Sequence, residues 1–143
     1  MTDSMKGVFR GFDIAGAGMR AEMQRSEIVA SNLGNMHRTG NAQKEPYKRQ
    51  VLVFEELLEE ARGGQSAAGV TIARVEKDDS PFPVFYQPGH PDADEAGQVL
   101  GSNVDLFQEL VDMQVIERSF DANLQAMRTY RTMLQNTITN MSR

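Results

Sequence analysis

Apolar residues in the first part of the chain recur at helical spacing on two faces. With about 100° per residue, two sets of apolar positions lie on opposite arcs of a helix over about residues 7–35. One arc contains Phe12, Ala15, Met19, Met23, Ala30 and Leu33. The other arc contains Ile14, Ala17, Ala21 and Ile28. A helix that is apolar on two faces indicates two neighbours.

The last part of the chain carries a heptad row, in which residues are spaced alternately by four and three. The row contains Leu106, Leu110, Met113, Glu117, Phe120, Leu124, Met127, Arg131, Leu134, Ile138 and Met141. The opposite side contains Val111, Val115, Ala122, Ala126 and Met133. This pattern predicts a helix over residues 104–141, with Asn103 as its N-cap and Asp105 in its first turn.

Such a helix is about 55 Å long at 1.5 Å per residue, which is too long for a compact domain of this size to cover. Two long helices at opposite chain ends predict an antiparallel coiled-coil hairpin whose outer faces are covered by other chains. An ordinary bundle helix with a few exposed apolar residues is the alternative.

The middle of the chain has shorter elements of a different kind. Residues 47–54 and 70–75 are β-branched and aromatic runs that predict strands, and residues 98–100 predict a third. All five prolines lie between residues 46 and 91, and those after residue 80 exclude a helix there, so Phe82, Val84 and Phe85 are expected in extended chain. For Glu55–Arg62 the periodicity leaves a short helix and a strand open.

These elements predict an α+β fold in which the long N- and C-terminal helices pair as a coiled-coil core domain. The predicted parts are the N-terminal helix at residues 1–40, a small β-rich insert at 41–101, and the C-terminal helix at 102–143.

Composition narrows the function classes. The 143 residues include 40% apolar and 24% charged residues, which is close to a globular average. A net charge of −5 argues against nucleic-acid binding, and the absence of cysteine excludes disulfides and thiolate metal sites. Residues 1–23 lack the continuous apolar core of a secretory signal, and no segment has the length of a membrane span.

The stretch QPGHPDADEAG at residues 87–97 is the strongest candidate for a metal or catalytic site. Asp92 and Asp94 begin like a calcium loop, but Asn103 stands at the twelfth position, where that loop needs a bidentate glutamate. An acidic, proline-fixed turn is therefore expected, in which Gly89 and Gly97 supply turn dihedrals and the aspartates bond backbone amides. A metal-dependent hydrolase using His90, Asp92 and Asp94 stays as a competing hypothesis.

Other motifs offer no chemistry. No serine elbow is present, and the AGAG stretch at residues 15–18 lacks the Lys-Ser/Thr of a phosphate loop, so its small residues indicate close helix approach. In SEIVASNLGN at residues 26–35, Gly34 or Asn35 is expected to cap the helix. We predict no catalytic residue, no metal site and no cofactor.

Three motifs resemble the flagellar basal-body rod proteins and, among them, a proximal rod subunit. SEIVASNLGN is similar to the family's N-terminal signature, PYKRQ at residues 46–50 to the passage that follows it, and residues 102–129 to its C-terminal helix. QPGHPDADEAGQV looks like a subtype-specific segment. The chain departs from the family pattern at Ser102, at Phe120 and in GNMHRTG at residues 34–40.

The resemblance implies a structural subunit that stacks helically with copies of itself and other axial proteins. It implies torque transmission, an enclosed export channel, and a periplasmic rod reached by type III export without a cleaved signal. The implied partners are other rod subunits, the hook-basal body adaptor at the export gate and the export apparatus, with no nucleic acid or small-molecule substrate. A non-polymerising coiled-coil adaptor of a type III secretion apparatus is the alternative.

The expected assembly interface combines the two-faced helix positions with the motif amides. Its residues are Phe12, Ile14, Ala17, Met19, Ala21, Ile28, Ala30, Asn32, Leu33, Asn35, Leu106, Leu110, Met113, Phe120, Asn123, Leu124, Met127, Leu134 and Ile138.

Overall fold

A computed structural model describes residues 2–41, 43–59 and 67–141 of the chain. Its elements are α1 (Thr2–Asn35), β1 (Gln50–Glu59), β2 (Ala67–Lys77), β3 (Val84–Tyr86), β4 (Gln98–Leu100) and α2 (Leu106–Met141). The fold is α+β, because two long helices from opposite chain ends pack together and a small β-rich insert lies between them in sequence. This confirms the predicted fold class. No helix within the described ranges has the length and apolar character needed to cross a membrane.

The chain divides into two compact units, and each long helix contributes to both. Unit 1 contains residues 1–25, 54–73 and 115–143, whereas unit 2 contains residues 26–53 and 74–114.

In unit 1 the helices pack antiparallel through glycines of α1. A Cβ atom added at Gly11 would meet the ring of Tyr130, and one added at Gly18 would lie 2.8 Å from the amide nitrogen of Asn123. Both pairs have residue numbers that add to 141, which fixes the register of the antiparallel helices. Only glycine leaves room for these side chains, so the small residues predicted to allow close helix approach do so.

The row of α2 that meets α1 is displaced by one residue from the predicted apolar heptad row. The contacting row contains Asn123 and Tyr130 together with the buried Ile116, whereas Leu124 and Arg131 of the apolar row stand one position further on. One residue corresponds to about 100° of rotation, so the apolar row flanks the helix contact. The central contact is made by side chains such as Tyr130 and Asn123 of α2, for which the glycines of α1 leave room.

In unit 2 a β-hairpin and a bridge surround the small core. β3 pairs antiparallel with β4 in the register Val84↔Leu100 and Phe85↔Val99, and Gly40 forms an antiparallel bridge with Leu100. Val99 is buried in this core, with 1% of its surface exposed. The strand predicted at residues 98–100 is confirmed, as is the extended chain at Val84 and Phe85.

β1 and β2 form a second two-stranded sheet. Residues 55–59 belong to β1, so the open choice between helix and strand is decided for strand there, whereas residues 60–62 lie outside the described residues. β1 begins at Gln50 instead of Tyr47, because residues 47–49 are held by hydrogen bonds to the helices and to Asn103.

The helix ends correct two predictions. Asp105 is the N-cap of α2, since its Oδ1 accepts a hydrogen bond from the Gln108 amide at 3.0 Å, and the prediction of Asn103 as the cap is wrong. At the end of α1, neither Gly34 nor Asn35 has the positive φ angle of the predicted cap, and the Asn35 side chain instead caps the last turn by donating from Nδ2 to the Ser31 carbonyl at 2.7 Å.

Candidate functional site

Three polar side chains are buried together in unit 2. Asn32 in the last turns of α1 is 1% exposed, Arg49 just before β1 is 7% exposed, and Glu109 in the first turn of α2 is 0% exposed. Because burying an unpartnered polar group costs several kcal/mol, such residues are expected to satisfy one another. We call these three residues the polar cluster.

Asn32 uses all the hydrogen-bonding capacity of its side chain. Its Nδ2 donates to the Gln50 carbonyl at 2.9 Å and to Glu109 Oε2 at 3.1 Å. Its Oδ1 accepts from the Gln50 amide at 2.9 Å and from the Tyr47 hydroxyl at 3.0 Å. With two donors and two acceptor positions filled, the Asn32 amide pairs with the start of β1 as a neighbouring strand would.

Arg49 supplies the positive charge of the polar cluster. Its Nε donates to Glu109 Oε1 at 2.5 Å and its Nη2 donates to Asp112 Oδ2 at 2.8 Å. A third carboxylate, that of Asp78, lies 3.8 Å from Nη1. Charge-assisted bonds of this kind are about twice as strong as neutral ones, and the planar guanidinium holds all three carboxylates in fixed directions.

Asn103 closes the same network from the chain before α2. Its Oδ1 accepts a hydrogen bond from the Arg49 amide at 2.6 Å, and its Nδ2 donates to the carbonyls of Asp78 at 2.9 Å and Ser80 at 3.2 Å. Asn103 therefore joins three chain segments, which explains why it does not serve as the N-cap.

Hydrogen bonds lower the pKa of Asp78. The Ser80 hydroxyl donates to Asp78 Oδ1 at 2.5 Å and the Ser80 amide donates to the same oxygen at 2.9 Å. These two bonds are the main reason that the pKa of Asp78 lies below its ordinary value, and the nearby Arg49 charge lowers it further. Asp78 therefore remains a carboxylate beside Arg49 under mildly acidic conditions.

The QPGHPDADEAG loop is a turn held by its aspartates. Asp94 Oδ1 accepts hydrogen bonds from the amides of Ala96 at 2.9 Å and Gln98 at 2.8 Å, and Gly97 adopts a left-handed φ of 73°. These features confirm the predicted backbone bonds for Asp94 and the role of Gly97. Gly89 lies in the turn that is closed by the hydrogen bond from the His90 amide to the Gln87 carbonyl at 3.0 Å, and its φ there is not positive.

Asp92 serves as an anchor of this loop. Its Oδ2 accepts a hydrogen bond from the Thr39 hydroxyl at 2.6 Å, and its Oδ1 lies 3.8 Å from Lys44 Nζ. The Thr39 bond is the main reason that the pKa of Asp92 is lowered. Within the described ranges, no group of three or more His, Cys, Asp or Glu side chains is arranged to hold a metal ion.

The helix pair of unit 1 has a bulky face. Most of its residues follow the contacting row of each helix by one or four positions, and because the helices are antiparallel, this displacement turns both rows to the same side of the pair. The bulky face contains Phe12, Met19, Met23, Phe120, Leu124, Met127, Leu134 and Ile138. Met23 is 60% exposed and Ile138 is 61% exposed. Exposed apolar patches of this kind mark interaction surfaces.

The opposite side of the same helix pair is a small face. Its residues precede the contacting rows by one or four positions and include three alanines. The small face contains Ile14, Ala17, Ala21, Val115, Ala122 and Met133. Ile14 and Val115 are each 43% exposed, whereas Ala21 is buried, with 8% of its surface exposed. Unit 1 therefore has apolar side chains on two opposite faces of its helix pair.

The structure places the predicted interface residues in three settings. Most of them, including Phe12, Leu124 and Ile14, lie on the bulky or small face or continue the same rows into unit 2, where Leu106 is 41% and Leu110 50% exposed. Asn123 lies in the helix contact of unit 1. Asn32 contacts residues of its own chain in the polar cluster, and Asn35 caps α1.

Sequence reasoning missed the polar cluster as a unit. Glu109 and Asp112 stand one position before Leu110 and Met113 of the apolar row and are three residues apart. Two carboxylates at this spacing on one helix indicate a charged contact. Nothing in the sequence connects these acids with Arg49, which lies 60 residues before Glu109.

Comparisons with known proteins agree with the resemblance noted in the sequence. Residues 95–141 match the family described as the flagellar basal body rod FlgEFG protein C-terminal. The flagellar basal-body rod protein FlgC of Salmonella typhimurium is 35% identical over 128 residues, covering 90% of this chain and 93% of the relative. FlgC of Agrobacterium fabrum is 35% identical over 126 residues, with coverage of 87% and 88%. FlgC of Bacillus subtilis is 32% identical over 143 residues, with coverage of 91% and 95%.

Proposed function

The chain belongs to the FlgC family of flagellar basal-body rod proteins, and from this premise we propose that it is a subunit of the proximal rod. It is a structural protein of the basal body, as its relatives' names indicate. In the proposed role, copies of the chain assemble helically with other axial proteins into the drive shaft that transmits motor torque. The assembled wall also encloses the channel through which later subunits are exported.

The observation that carries this proposal is the pair of apolar faces on the helices of unit 1. A subunit with one neighbour needs one such surface, whereas a subunit within a continuous wall needs complementary surfaces on different sides. Exposed side chains such as Met23, Ile138 and Ile14 occupy both sides. Burial of each large apolar side chain against neighbours contributes about 1.5–3 kcal/mol, which favours assembly.

The proposed partners are other copies of the chain, the other proximal and distal rod subunits, and the adaptor protein between the rod and the export gate. The proposed route is the flagellar type III export apparatus, without a cleaved signal, and the proposed location is the periplasmic rod. The proposal includes no nucleic acid and no small-molecule substrate. The long helix rows support assembly with these rod partners, since heptad rows pack against other helices.

Complementation tests the proposal. The gene is deleted from its source bacterium and replaced by the wild-type gene, and swimming and basal-body composition are measured by soft-agar assay and by immunoblot of purified basal bodies. We expect restored swimming and stable incorporation of the chain. A protein that binds one export component in a fixed complex, without entering the rod, would instead support the adaptor alternative.

A further inference from the structure

We propose that a basic pocket in unit 2 binds the carboxylates of an acidic segment of a partner protein. The pocket has a volume of about 280 Å³ and is lined by residues between 38 and 50 and by Lys77 at the end of β2. All of these residues belong to unit 2. The proposal goes beyond the proposed function, because it assigns a binding site outside the apolar faces of unit 1.

The charge of the pocket contrasts with that of the protein around it. The whole chain has a net charge of −5, and in unit 2 the Asp and Glu residues outnumber the Lys and Arg residues. Except for Arg49 and Arg74, every Lys and Arg of unit 2 lines the pocket, namely Arg38, Lys44, Lys48 and Lys77. Among the lining residues, Glu45 alone is acidic. A concave site lined by charges of one sign attracts ligands of the opposite sign.

Two of these cations are available to an incoming anion. Arg38 Nη1 donates to Asn35 Oδ1 at 3.3 Å, which is an exposed hydrogen bond to a neutral group. Neither Arg38 nor Lys77 forms an ion pair with a carboxylate within the described ranges. Their positive charges are therefore balanced by water and salt in the free chain, and both can be transferred to a ligand.

The other two cations have one carboxylate each outside the lining. Lys44 Nζ lies 3.8 Å from Asp92 Oδ1, and Lys48 Nζ lies 3.4 Å from Asp79 Oδ1. The Asp79 side chain is 90% exposed, and exposed ion pairs of this kind contribute little to stability, so a ligand carboxylate can share the cation. With Asp79, Asp92 and Glu45 all counted, the four cations still leave an excess of positive charge.

The size of the pocket favours a peptide segment as its ligand. Its volume is several times the roughly 30 Å³ that one water molecule occupies, so a single small anion would leave most of it open. Pro46 and Tyr47 also line the pocket and offer apolar contact to the methylene groups of glutamate side chains. A long polyanion such as nucleic acid would also meet the acidic surface around the pocket, which disfavours it.

Peptide binding to the purified full-length chain tests the pocket. The probe is an oligoglutamate peptide with blocked ends, and an oligoglutamine peptide of the same length is the uncharged control. Binding is followed by nitrogen-15 NMR of the backbone amides in about 0.01 M and about 1 M salt, where the screening length is about 30 Å and about 3 Å. With oligoglutamate we expect saturable shifts at Arg38, Lys44, Lys48 and Lys77 that weaken several-fold in high salt, and with oligoglutamine no saturable shifts.

Two variants of the same strand separate the pocket from the general surface charge. Lys77→Gln removes a cation of the pocket and should weaken oligoglutamate binding several-fold. Arg74→Gln is the matched control, because it removes an exposed cation that lies outside the pocket and pairs with Glu76 at 2.6 Å. Equal affinities of the two variants, or the absence of saturable binding to the wild type, overturn the proposal. Inorganic phosphate is the third probe, and phosphate binding as tight as that of oligoglutamate would show a small-anion site and overturn the assignment of a peptide segment.

Charge reversal tests the same pocket in cells. This test rests on the proposed function, because the partner is then a protein of the basal body. Lys77→Glu should repel the acidic segment and lower incorporation into purified basal bodies several-fold, whereas Arg74→Glu should retain it. Circular dichroism of both purified variants checks that they fold alike, and equal incorporation of the two variants contradicts the proposal. Failure of the wild-type chain to enter basal bodies refutes the proposed function instead, and peptide binding then decides on the pocket separately.

Discussion

Replacing Arg49 by alanine should unfold unit 2 more readily than any exposed charge change nearby. The substitution removes the cation that bonds Glu109 at 2.5 Å and Asp112 at 2.8 Å. Glu109 is 0% exposed, so its carboxylate stays buried and keeps the hydrogen bond from the Asn32 amide without a cation beside it. Removing one member of a buried ion pair costs about 3–5 kcal/mol, which is a large part of the 5–15 kcal/mol that stabilises a typical domain.

Lys48→Ala is the matched control, because it removes a cation from the adjacent position. Lys48 lies 3.4 Å from Asp79, whose side chain is 90% exposed, and such surface pairs contribute about 0–1 kcal/mol. The free energy of unfolding of full-length protein is measured in urea at neutral pH. Circular dichroism reports the helices, and the fluorescence of the three tyrosines includes that of Tyr47, whose hydroxyl donates to Asn32.

The expected result is a lower urea midpoint for Arg49→Ala and a nearly unchanged midpoint for Lys48→Ala. The double variant Arg49→Met with Glu109→Leu removes both charges and should recover much of the lost stability, since well-packed apolar residues can replace a buried pair. If Arg49→Ala is no more destabilising than Lys48→Ala, the polar cluster does not stabilise unit 2 and our account of it is refuted.

Three further substitutions test other parts of the structure. Leu124→Asp places a charge on the bulky face and should abolish swimming and rod incorporation in complemented cells, although the protein is made and exported. Arg128→Ala changes an exposed side chain and should have a mild effect. Functional rods with Leu124→Asp would contradict the role of this face. Gly11→Ala should lower the free energy of unfolding by about 1–3 kcal/mol, because its methyl group would meet a tyrosine ring. Gly7→Ala has no atom within 4 Å of the added methyl group and should raise the free energy of unfolding by up to about 1 kcal/mol. Equal effects of the two variants on the melting temperature would refute the close helix approach. The pKa of Asp92 is lowered from its ordinary value of 3.8, so its ionised form stabilises the fold above about that pH, and this contribution is lost as the pH falls through the lowered pKa. Urea titrations should therefore show that Asp92→Asn loses less stability than wild type in that acidic range. Parallel pH profiles of the two proteins would exclude the effect.

Local patterns in the sequence were enough to predict the elements of this protein. A period near 3.5 over residues 104–141 corresponds to α2 (Leu106–Met141), because a largely apolar row of that length has no other regular structure in which to lie. The short strand Gln98–Leu100 and the turn before it also follow from neighbouring residues, since Asp94 and Gly97 make local backbone bonds and dihedrals. The family followed from three motifs in order along nearly the whole chain.

The sequence did not decide which of two adjacent helix rows forms the contact. Hydrophobicity favoured the row through Leu124, but the backbones approach at Gly11 and Gly18, where only the row through Asn123 and Tyr130 fits. The two rows differ by one residue, or about 100°, and periodicity has no information about the shape of the opposite helix.

The polar cluster was likewise decided only by the tertiary structure. Asn32 and Glu109 are 77 residues apart, and in the sequence each has the character of a surface residue. They become buried because Arg49 and the main chain of Gln50 satisfy their charge and hydrogen bonds once α1, β1 and α2 are brought together. The cost of burying a polar group depends on partners in three dimensions, and for this reason its place in the core cannot be read from local sequence.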